Sequence, residues 1–470
     1  MKKFTFLFST FVLFFMFTSV LYANTEYTRE IQSSINEPIR IYFSEIFPEE
    51  GNMSRFFTNE NMENDFVYVQ GDFRMEELRK ALETQPTEVN ILRQLGLSPA
   101  ELSQRATLNG LPEIEYVDLY LDGNEVVINF KNNNHSSERL LNHDAIFEAF
   151  NIRENIIYLY EDRQAFTVRF EEVKFSRNEL EEVFAILHDI DFNDTGISSM
   201  WVDTVTNQVK IGVSNTFNFD DALNNIINFL VNEHKVYDRE YYLNIIHLII
   251  CEFGFDFRLD DPKITKDIDN DIEKSNILLS EEEAVTSQSG INITFGSMIT
   301  TFPSQWYSAG FPLRNGFVTT GHGSTATSQF VYRGSATTQN QLIGFVSDRN
   351  MSASHDSAFV TFYSGNTFTN NFSLIFSNTL PVRNSSIAGN GAATGSRTMT
   401  VLENNVTISD GHTTWTQAII MDGPSSGGDS GGPYFRDSGN MRTIFGIHRG
   451  VGPFNGVMRR IAVQMRNINH

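Results

Sequence analysis

The sequence predicts an all-β domain in the C-terminal part of the chain and a mixed α+β region before it. Two observations carry this prediction. Of the 31 glycines in the 470 residues, 23 follow residue 283. From Ile291 onward, short segments rich in Val, Ile, Phe and Thr alternate with Gly, Asn and Ser, and almost no helical period is present. This texture is typical of all-β folds, and on spacing alone it fits one large sandwich or two small barrels.

Charge divides the chain at the same place. The formal net charge is −23, but residues 284–470 contain 11 Arg, no Lys, six Asp and a single glutamate, Glu403, a net of +4. Residues 1–283 therefore carry −27. Opposite charges favour association of the two parts, and the acidic total disfavours a nucleic-acid partner. We expect two or more domains with a boundary near residue 284.

The N-terminus has the pattern of a secretory signal peptide. Two lysines follow the first residue, residues 4–20 form an apolar run, and the small residue Ala23 follows. We expect residues 1–23 to direct secretion and to be removed, which leaves no membrane attachment. A membrane anchor is the alternative, because the run approaches the ~20 residues that a spanning helix needs. The single cysteine, Cys251, excludes an intramolecular disulfide and is predicted to be a buried apolar residue.

The acidic region contains a weak repeat of a β-hairpin followed by a helix. Alternating apolar residues meet at Asp122-Gly123 in the first passage and at Thr206-Asn207 in the second, about 85 residues later. Residues 217–231 have acidic residues near their start and apolar residues at helical spacing, which predicts a helix. The polar stretch 275–290 has no period and is predicted to be a linker.

Three short motifs in the β-rich part carry side chains suited to chemistry. They are Thr319-Thr320-Gly321-His322-Gly323, His355-Asp356-Ser357 and Gly427-Gly428-Asp429-Ser430-Gly431-Gly432-Pro433. A serine hydroxyl becomes a good nucleophile only beside a base that a carboxylate orients. The motifs supply one residue of each type, in the order of one known triad. Taken singly, His322 could be a structural histidine and Asp356 a turn residue. Asp348 is a second candidate for the catalytic aspartate. The joint occurrence of the three motifs favours a catalytic set.

On these motifs, the chain from about Ile291 to its end resembles chymotrypsin-fold serine endopeptidases, and in size and texture the bacterial α-lytic protease and streptogrisin group. The resemblance implies that His322 is the general base, Asp356 orients it, and Ser430 is the nucleophile. It implies two six-stranded β-barrels with the active site between them, preceded by an α+β pro-region. Residues 24–283 would be this acidic pro-region, which assists folding and then inhibits, and residues 284–470 the protease domain.

The glycines beside Ser430 have a physical use. Small residues let the backbone turn so that the N–H groups of Gly428 and Ser430 can point at the oxyanion of a tetrahedral intermediate.

Two features depart from the family pattern. Gly323 stands where many relatives have a cysteine, so the usual disulfide is missing. Asp429, directly before the nucleophile, is buried in this fold and needs a cation. Arg383 and Arg397 are both candidates for that cation.

The sequence after the nucleophile predicts an acidic substrate preference. Residues 443–452 would line the primary specificity pocket, and Gly446-Ile447-His448 followed by Gly450 resembles glutamyl endopeptidases. In those enzymes a histidine on this strand and a hydroxyl residue before the nucleophile, here Ser425, bind the substrate carboxylate. An imidazole can form a charge-assisted hydrogen bond to a carboxylate. A purely structural His448 is the alternative.

The distribution of glutamate agrees with such a preference. Glutamate is scarce in the predicted protease domain and present at the predicted boundary before it. The part after residue 283 has one glutamate, and Glu281-Glu282-Glu283 precedes Ala284. We predict self-processing between Glu283 and Ala284, or after one of the two neighbouring glutamates.

The sequence thus predicts a secreted, monomeric serine endopeptidase that acts on proteins or peptides and is bound by its own pro-region. No cofactor is expected, and no His-x-x-x-His or Cys-pair spacing predicts a metal site. Two alternatives stay open. The same triad could prefer small or aromatic residues, or the protein could be a protease-like binding or adhesion module without turnover.

Overall fold

The computed structural model describes residues 30–32, 37–47, 66–97, 114–132, 147, 155–234, 237–251, 290–301, 305–335, 341–409 and 414–468. The chain is mostly β-sheet with some helices. The predicted signal peptide, residues 275–289 of the predicted linker, and Glu283 and Ala284 lie outside the described residues. Those sequence predictions therefore stay predictions.

The α-helices of the described residues precede residue 246, and local sequence explains their ends. Ser176 accepts a hydrogen bond from the N–H of Glu179, whose carboxylate accepts one from the N–H of Ser176, so a capping box starts its helix. The helix predicted over 217–231 forms at Phe219–His234, with two aspartates in its first turn. The helices are α1 (Phe43–Ile46), α2 (Met75–Glu83), α3 (Glu88–Gln94), α4 (Arg177–Leu187), α5 (Phe192–Thr195), α6 (Phe219–His234) and α7 (Arg239–Ile245).

Both predicted hairpins form in this N-terminal part. The first turns at Gly123, with φ +59°, and the second at Asn207, with φ +54°, the left-handed region that tight hairpin turns use. The N-terminal strands are β1 (Glu30–Gln32), β2 (Ile39–Tyr42), β3 (Phe66–Gln70), β4 (Asp72–Arg74), β5 (Ile114–Asp122), β6 (Glu125–Asn132), β7 (Ile156–Leu159), β8 (Gln164–Val173), β9 (Ile197–Asp203), β10 (Gln208–Ser214) and β11 (Ile246–Cys251).

The part after residue 290 is built from strands, as the sequence predicts, and ends in a 3₁₀ turn at Met465–Asn467. The strands are β12 (Asn292–Ile293), β13 (Met298–Thr301), β14 (Gln305–Ser308), β15 (Phe311–Leu313), β16 (Gly316–Thr319), β17 (Phe330–Arg333), β18 (Leu342–Met351), β19 (Asp356–Phe362), β20 (Thr367–Phe368), β21 (Ser373–Phe376), β22 (Ser386–Gly391), β23 (Gly395–Ser409), β24 (Thr414–Asp422), β25 (Pro433–Ser438), β26 (Met441–Phe454) and β27 (Val457–Gln464).

One sheet is built only from residues 298–362. Its seven strands follow the order β14-β13-β17-β18-β19-β16-β15. Phe317, Val346 and Val360 are fully buried in the apolar cluster that it encloses. Thr319 at the end of β16 pairs with Ala358 near the start of β19. The turn that follows β16 therefore lies beside the first residues of β19.

A second sheet combines strands from both ends of the chain. Its twelve strands follow the order β11-β10-β9-β23-β22-β25-β26-β21-β3-β2, with β24 paired to β23 and β27, and β27 also paired to β26. Met200 of β9 pairs with Thr407 of β23, and Val69 of β3 pairs with Ile375 of β21. The N-terminal part thus extends the C-terminal strands of this sheet at two places.

The remaining strands form a four-stranded sheet, β5-β6-β8-β7, and the pairs β1–β4 and β12–β20. The two six-stranded barrels stay a prediction, because the C-terminal strands are divided between a seven-stranded sheet and a twelve-stranded sheet that also contains N-terminal strands. Within the described ranges, no helix has the length and apolar character needed to cross a membrane.

Candidate active site

The three predicted catalytic residues lie at the ends of strands. His322 is in the turn after β16, Asp356 is the first residue of β19, and Ser430 is in the loop between β24 and β25. The antiparallel pairing of β16 and β19 brings the histidine to the aspartate. Two hydrogen bonds join the serine loop to the end of β16: the N–H of Ser308, on β14, donates to the carbonyl of Ser430 at 2.7 Å, and the hydroxyl of Thr319 donates to the carbonyl of Ser308 at 2.7 Å.

Asp356 is a buried carboxylate that holds the histidine. The Nδ1 of His322 lies 2.6 Å from Oδ2 of Asp356. The other oxygen, Oδ1, accepts hydrogen bonds from Oγ1 of Thr320 and from the N–H groups of Gly321 and His322, at 2.8–2.9 Å. Burial alone would raise the pKa of Asp356, but His322 and the guanidinium of Arg449 hold that pKa well below its usual range. The geometry fixes the imidazole with Nδ1 toward the carboxylate and leaves Asp348 without this role.

Ser430 is 2% exposed, and its hydroxyl donates to the main-chain carbonyl of Arg449 at 3.2 Å. Among the described residues, no hydrogen bond joins this hydroxyl to His322. Catalytic hydrogen bonds often form only when substrate is bound. The Ser430 hydroxyl is therefore hydrogen-bonded to the carbonyl of Arg449 and not to His322, the predicted base.

Glycines shape the loop that carries the serine. Gly428 has φ +99° and Gly431 has φ +85°, conformations that residues with a Cβ rarely adopt. A Cβ on Gly428 would overlap the ring of Trp306, and one on Gly431 would overlap Oγ1 of Thr319. Within the described part of the chain, the N–H groups of Gly428 and Ser430 donate no hydrogen bond, so both predicted oxyanion donors are available.

The structure decides between the two candidate cations for Asp429. Nη1 of Arg397 lies 3.3 Å from Oδ2 of Asp429, and both side chains are at most 4% exposed. The carboxylate also accepts from the N–H groups of Ala393, Thr394 and Ser426 and from the Thr394 hydroxyl. Arg383 instead pairs with Asp203 and Glu403. The charge of Asp429, beside Ser430, is thus compensated within the chain.

The predicted pocket residues lie on β26 and before the nucleophile. His448 is fully buried, and its Nδ1 is hydrogen-bonded to the hydroxyl of Tyr434 at 2.7 Å. Ser425 is half-buried, and its Oγ accepts a hydrogen bond from Nε of Arg460 at 3.1 Å. Gly450 is buried on the same strand as His448. The contacts with Tyr434 and Arg460 were not foreseen from the sequence.

Arg449 is the residue of this site that the sequence reasoning overlooked. It is 2% exposed, its Nε lies 3.3 Å from Oδ2 of Asp356, and its guanidinium lies over the ring of Trp415. A signal was present, because Arg449 is the one lysine, arginine, aspartate or glutamate in the run 443–452. A charge inside a strand that is otherwise apolar requires a buried partner.

No protein-family description and no curated protein matches the chain. Similar solved structures include chymotrypsin from Cellulomonas bogoriensis, 21% identical with a TM-score of 0.30, covering 37% of this chain and 92% of that one. Protease A from Thermobifida fusca is 24% identical with a TM-score of 0.28, covering 37% and 92%. A serine protease specific for glutamic acid, described as using a histidine triad in substrate binding, is 22% identical with a TM-score of 0.30, covering 37% and 94%. Most of the chain lies outside these three similarities.

Proposed function

We propose that the chain is the precursor of a serine endopeptidase. The observation that carries the proposal is the contact of 2.6 Å between Nδ1 of His322 and the buried carboxylate of Asp356, in a site that also contains Ser430. A carboxylate in this position fixes the tautomer of the imidazole, so that Nε2 can accept a proton. The glycine loop around the serine supplies two N–H groups suited to an oxyanion.

The reaction follows from these roles. The hydroxyl of Ser430 turns from the carbonyl of Arg449 to Nε2 of His322 and gives up its proton as Oγ bonds to the substrate carbonyl carbon. The N–H groups of Gly428 and Ser430 donate to the oxyanion. His322 then passes the proton to the leaving amine, and the peptide bond breaks to give an acyl-enzyme. Water repeats the sequence and releases the acid.

A serine-directed phosphonate tests the activity. We expect the wild-type protein to be labelled and to hydrolyse peptides, Ser430→Ala to lose both, and the control Ser347→Ala, on β18, to keep both. A folded wild-type protein that is neither labelled nor hydrolytic would instead support a binding or adhesion module.

We infer that the enzyme prefers Glu, or Asp, before the scissile bond. The guanidinium of Arg460 next to Ser425 places a cation beside a predicted carboxylate-binding hydroxyl. The hydrogen bond from Tyr434 fixes the ring of His448 on the pocket strand. Hydrogen bonds to a charged partner are about twice as strong as neutral ones. Glu403, the one glutamate after residue 283, is 4% exposed and so is shielded from such an enzyme.

A peptide library tests this preference. We expect Arg460→Met to lower kcat/KM for peptides with Glu before the cleaved bond by ~10–100-fold, since a charge-assisted bond contributes about 1.5–3 kcal/mol. Peptides with neutral residues there should be affected little. Arg459→Met is the matched control, because Arg459 pairs with Asp422. Best cleavage after small or aromatic residues would establish the alternative preference.

We infer further that residues 1–23 direct secretion and that residues 24–283 are a pro-region removed at Glu283 or a neighbouring glutamate. Three contacts between the two parts of the chain support the proposal that residues 24–283 inhibit the protease domain. Asp203 pairs with Arg383 at 3.1 Å, β9 extends the sheet at β23, and Trp201 packs on Phe454 with ring centroids 4.3 Å apart. Phe454 ends β26, the strand that carries His448. The docked region thus contacts the pocket strand.

N-terminal sequencing of secreted protein tests the maturation site. The mature chain should begin at residues 282–284, and Ser430→Ala should stay at full length when no other protease is present. A mature start elsewhere, or normal maturation of Ser430→Ala, would refute self-processing after glutamate.

A further inference from the structure

We propose that Ser308 is a positioning residue that holds the loop of Ser430 in the conformation in which its two N–H groups can bind an oxyanion. The inference rests on the proposed function, because it concerns the oxyanion site of that reaction. Ser308 is the last residue of β14 and is fully buried. It lies outside the triad, the oxyanion donors and the pocket, and its role is separate from theirs.

Ser308 forms four hydrogen bonds in the site. Its N–H donates to the carbonyl of Ser430 at 2.7 Å, and its hydroxyl donates to the carbonyl of Gly428 at 2.8 Å. Its Oγ accepts from the N–H of Ala392 at 2.8 Å, and its carbonyl accepts from the hydroxyl of Thr319 at 2.7 Å. The direction of the two bonds to Oγ is fixed, because an N–H group only donates and a carbonyl only accepts. Two of the four bonds therefore hold the loop that carries Ser430.

These two bonds fix the peptide units that determine where the oxyanion donors point. The unit after Gly428 has its carbonyl on Ser308 and its N–H on the carbonyl of Ser426 at 3.0 Å. The unit after Ser430 has its carbonyl on Ser308 and its N–H on the carbonyl of His448 at 2.8 Å. The donor N–H of Ser430 lies between these two fixed units, and that of Gly428 lies in the unit before them. The direction of both donors therefore depends on Ser308.

The loop needs such a constraint because glycine permits many backbone conformations. Gly428 is buried and has φ +99°. A side chain at this position cannot restrict the backbone, because a Cβ there would overlap the ring of Trp306, which is also on β14. Rotation of the unit after Gly428 would take its carbonyl away from the hydroxyl of Ser308, and buried carbonyls are rarely left without a donor. The hydroxyl thus favours one orientation of a unit that glycine leaves free to turn.

The first test compares Ser308→Ala with a matched control. Alanine removes the hydroxyl and keeps the main-chain N–H that bonds to Ser430. We expect kcat, counted per site that a serine-directed phosphonate labels at completion, to fall ~10–100-fold, because small displacements of transition-state donors are costly. KM should change little. Ser377→Ala should keep both values, because Ser377 is also buried and its hydroxyl bonds to that of Thr379, outside the site.

A merely structural serine would give a different result. Its loss would lower the folded fraction and leave kcat per labelled site unchanged, and this outcome in Ser308→Ala would overturn the inference.

A second measurement isolates the oxyanion. With a peptide aldehyde, Oγ of Ser430 bonds to the aldehyde carbon and its proton passes by way of His322 to the aldehyde oxygen. The product is a hemiacetal whose oxygen faces the two N–H groups, whereas the matching peptide alcohol forms no covalent bond. Ser308→Ala should weaken inhibition by the aldehyde ~10–100-fold and leave inhibition by the alcohol unchanged. Equal weakening of both inhibitors, or of neither, would overturn the inference.

A third measurement needs no turnover. In full-length Ser430→Ala protein, hydrogen exchange in residues 426–432 should become ~10-fold faster on adding Ser308→Ala, because the loop loses a hydrogen bond that holds it closed. Adding Ser377→Ala should leave this exchange unchanged. Unchanged exchange in the folded Ser308→Ala protein would overturn the inference. If wild-type protein is neither labelled nor hydrolytic, the proposed function fails, while the exchange still decides whether Ser308 holds the loop.

Ser308→Gly is the second variant and carries the same expectations, because it also lacks the hydroxyl and keeps the main-chain N–H. If neither variant reaches the folded state while Ser377→Ala does, Ser308 is a folding residue and the inference is rejected.

Discussion

The candidate active site is formed by residues from both large sheets. The two sheets differ in whether N-terminal strands belong to them. The seven-stranded sheet carries His322 and Asp356 and consists only of residues 298–362. The loop of Ser430 and β26, which carries His448, belong with the twelve-stranded sheet, which contains five N-terminal strands, β2, β3 and β9–β11. The sheet that carries His322 and Asp356 is therefore built from C-terminal strands, whereas the sheet beside Ser430 is bordered by N-terminal strands. We call the two parts of the site the base half and the nucleophile half, after the proposed roles of these residues.

This difference indicates where an N-terminal partner can act. Removal of the N-terminal part would leave every strand pair of the seven-stranded sheet in place. It would uncover β23 and β21 in the other sheet, where they pair with β9 and β3. Asp429, beside Ser430, is compensated by Arg397 of the same part of the chain, so its charge does not need a new N-terminal amine. The proposed removal of the N-terminal part would then expose β23 and β21, and it would not be needed to form the ion pair of Asp429.

Asp356→Asn should give the largest effect, and this effect acts on the base half of the site. An asparagine can donate to Nδ1 and stabilise the wrong imidazole tautomer, which lowers kcat on the order of 10⁴-fold in such triads. Asp437→Asn, with a half-exposed carboxylate that pairs with Arg442, is the control and should keep its activity. Hydrogen exchange in β23 should be unchanged, whereas β26 is not used as a reference, because its buried Arg449 pairs with Asp356. A loss below about tenfold would contradict the role of Asp356.

Arg397→Leu should destabilise the nucleophile half of the site. It leaves the buried carboxylate of Asp429 without its cation, which should destabilise the protein by about 4 kcal/mol. Denaturant unfolding measures this, and hydrogen exchange should increase in β22 and β25 before it increases in β16 and β19. Adding Asp429→Asn to Arg397→Leu removes both charges and should restore part of the lost stability. Equal destabilisation of the two sheets would contradict their independence.

Trp201→Ala should weaken the border between the N-terminal part and the twelve-stranded sheet. Trp201 is 1% exposed and packs in a cluster with Val406, Ile408 and Phe454. Truncation should cost about 3 kcal/mol. Hydrogen exchange should increase in β9 and β23 and stay unchanged in the seven-stranded sheet. Phe317→Ala, in the core of the seven-stranded sheet, should give the reverse pattern, and the same pattern from both variants would contradict the comparison.

Local sequence predicted much of this arrangement, because the relevant signals are short in range. Turn residues predicted both N-terminal hairpins, helical spacing predicted α6, and strand texture predicted the β-rich part. The motifs containing His322 and Asp356 predicted a pair that the structure places in contact.

Contacts across long sequence distances could not be predicted in this way. Arg449 and Asp356 are 93 positions apart, on β26 and at the start of β19, and the tertiary fold brings them together. The choice of Arg397 over Arg383 for Asp429 likewise depends on which strand each arginine occupies. The addition of β9 to β23 depends on strand register between distant segments, which a period-two pattern does not specify.

The smallest expected effect is a pH dependence of the protein's stability that arises where the N-terminal part meets the twelve-stranded sheet. Glu403 lies within a cluster that includes Arg383, Asp203 and Asp118. Burial raises the pKa of Glu403 to about 8, against the attraction of Arg383. Burial likewise raises the pKa of Asp118, on β5, to about 7, against Arg177. Between about pH 5 and pH 8 the folded state therefore binds more protons than the unfolded state, and stability falls as pH rises.

Denaturant unfolding of full-length Ser430→Ala protein should show this loss, about 1–3 kcal/mol between pH 5.5 and pH 8.5. Glu403→Gln should flatten the dependence, because its amide does not titrate. Asp203 does not produce this slope. Burial alone would raise its pKa, but Arg383 and Lys210 hold the pKa well below the usual range, so Asp203 stays charged throughout the window. Stability that rises with pH in this window would contradict the expected protonation of Glu403 and Asp118 in the folded protein.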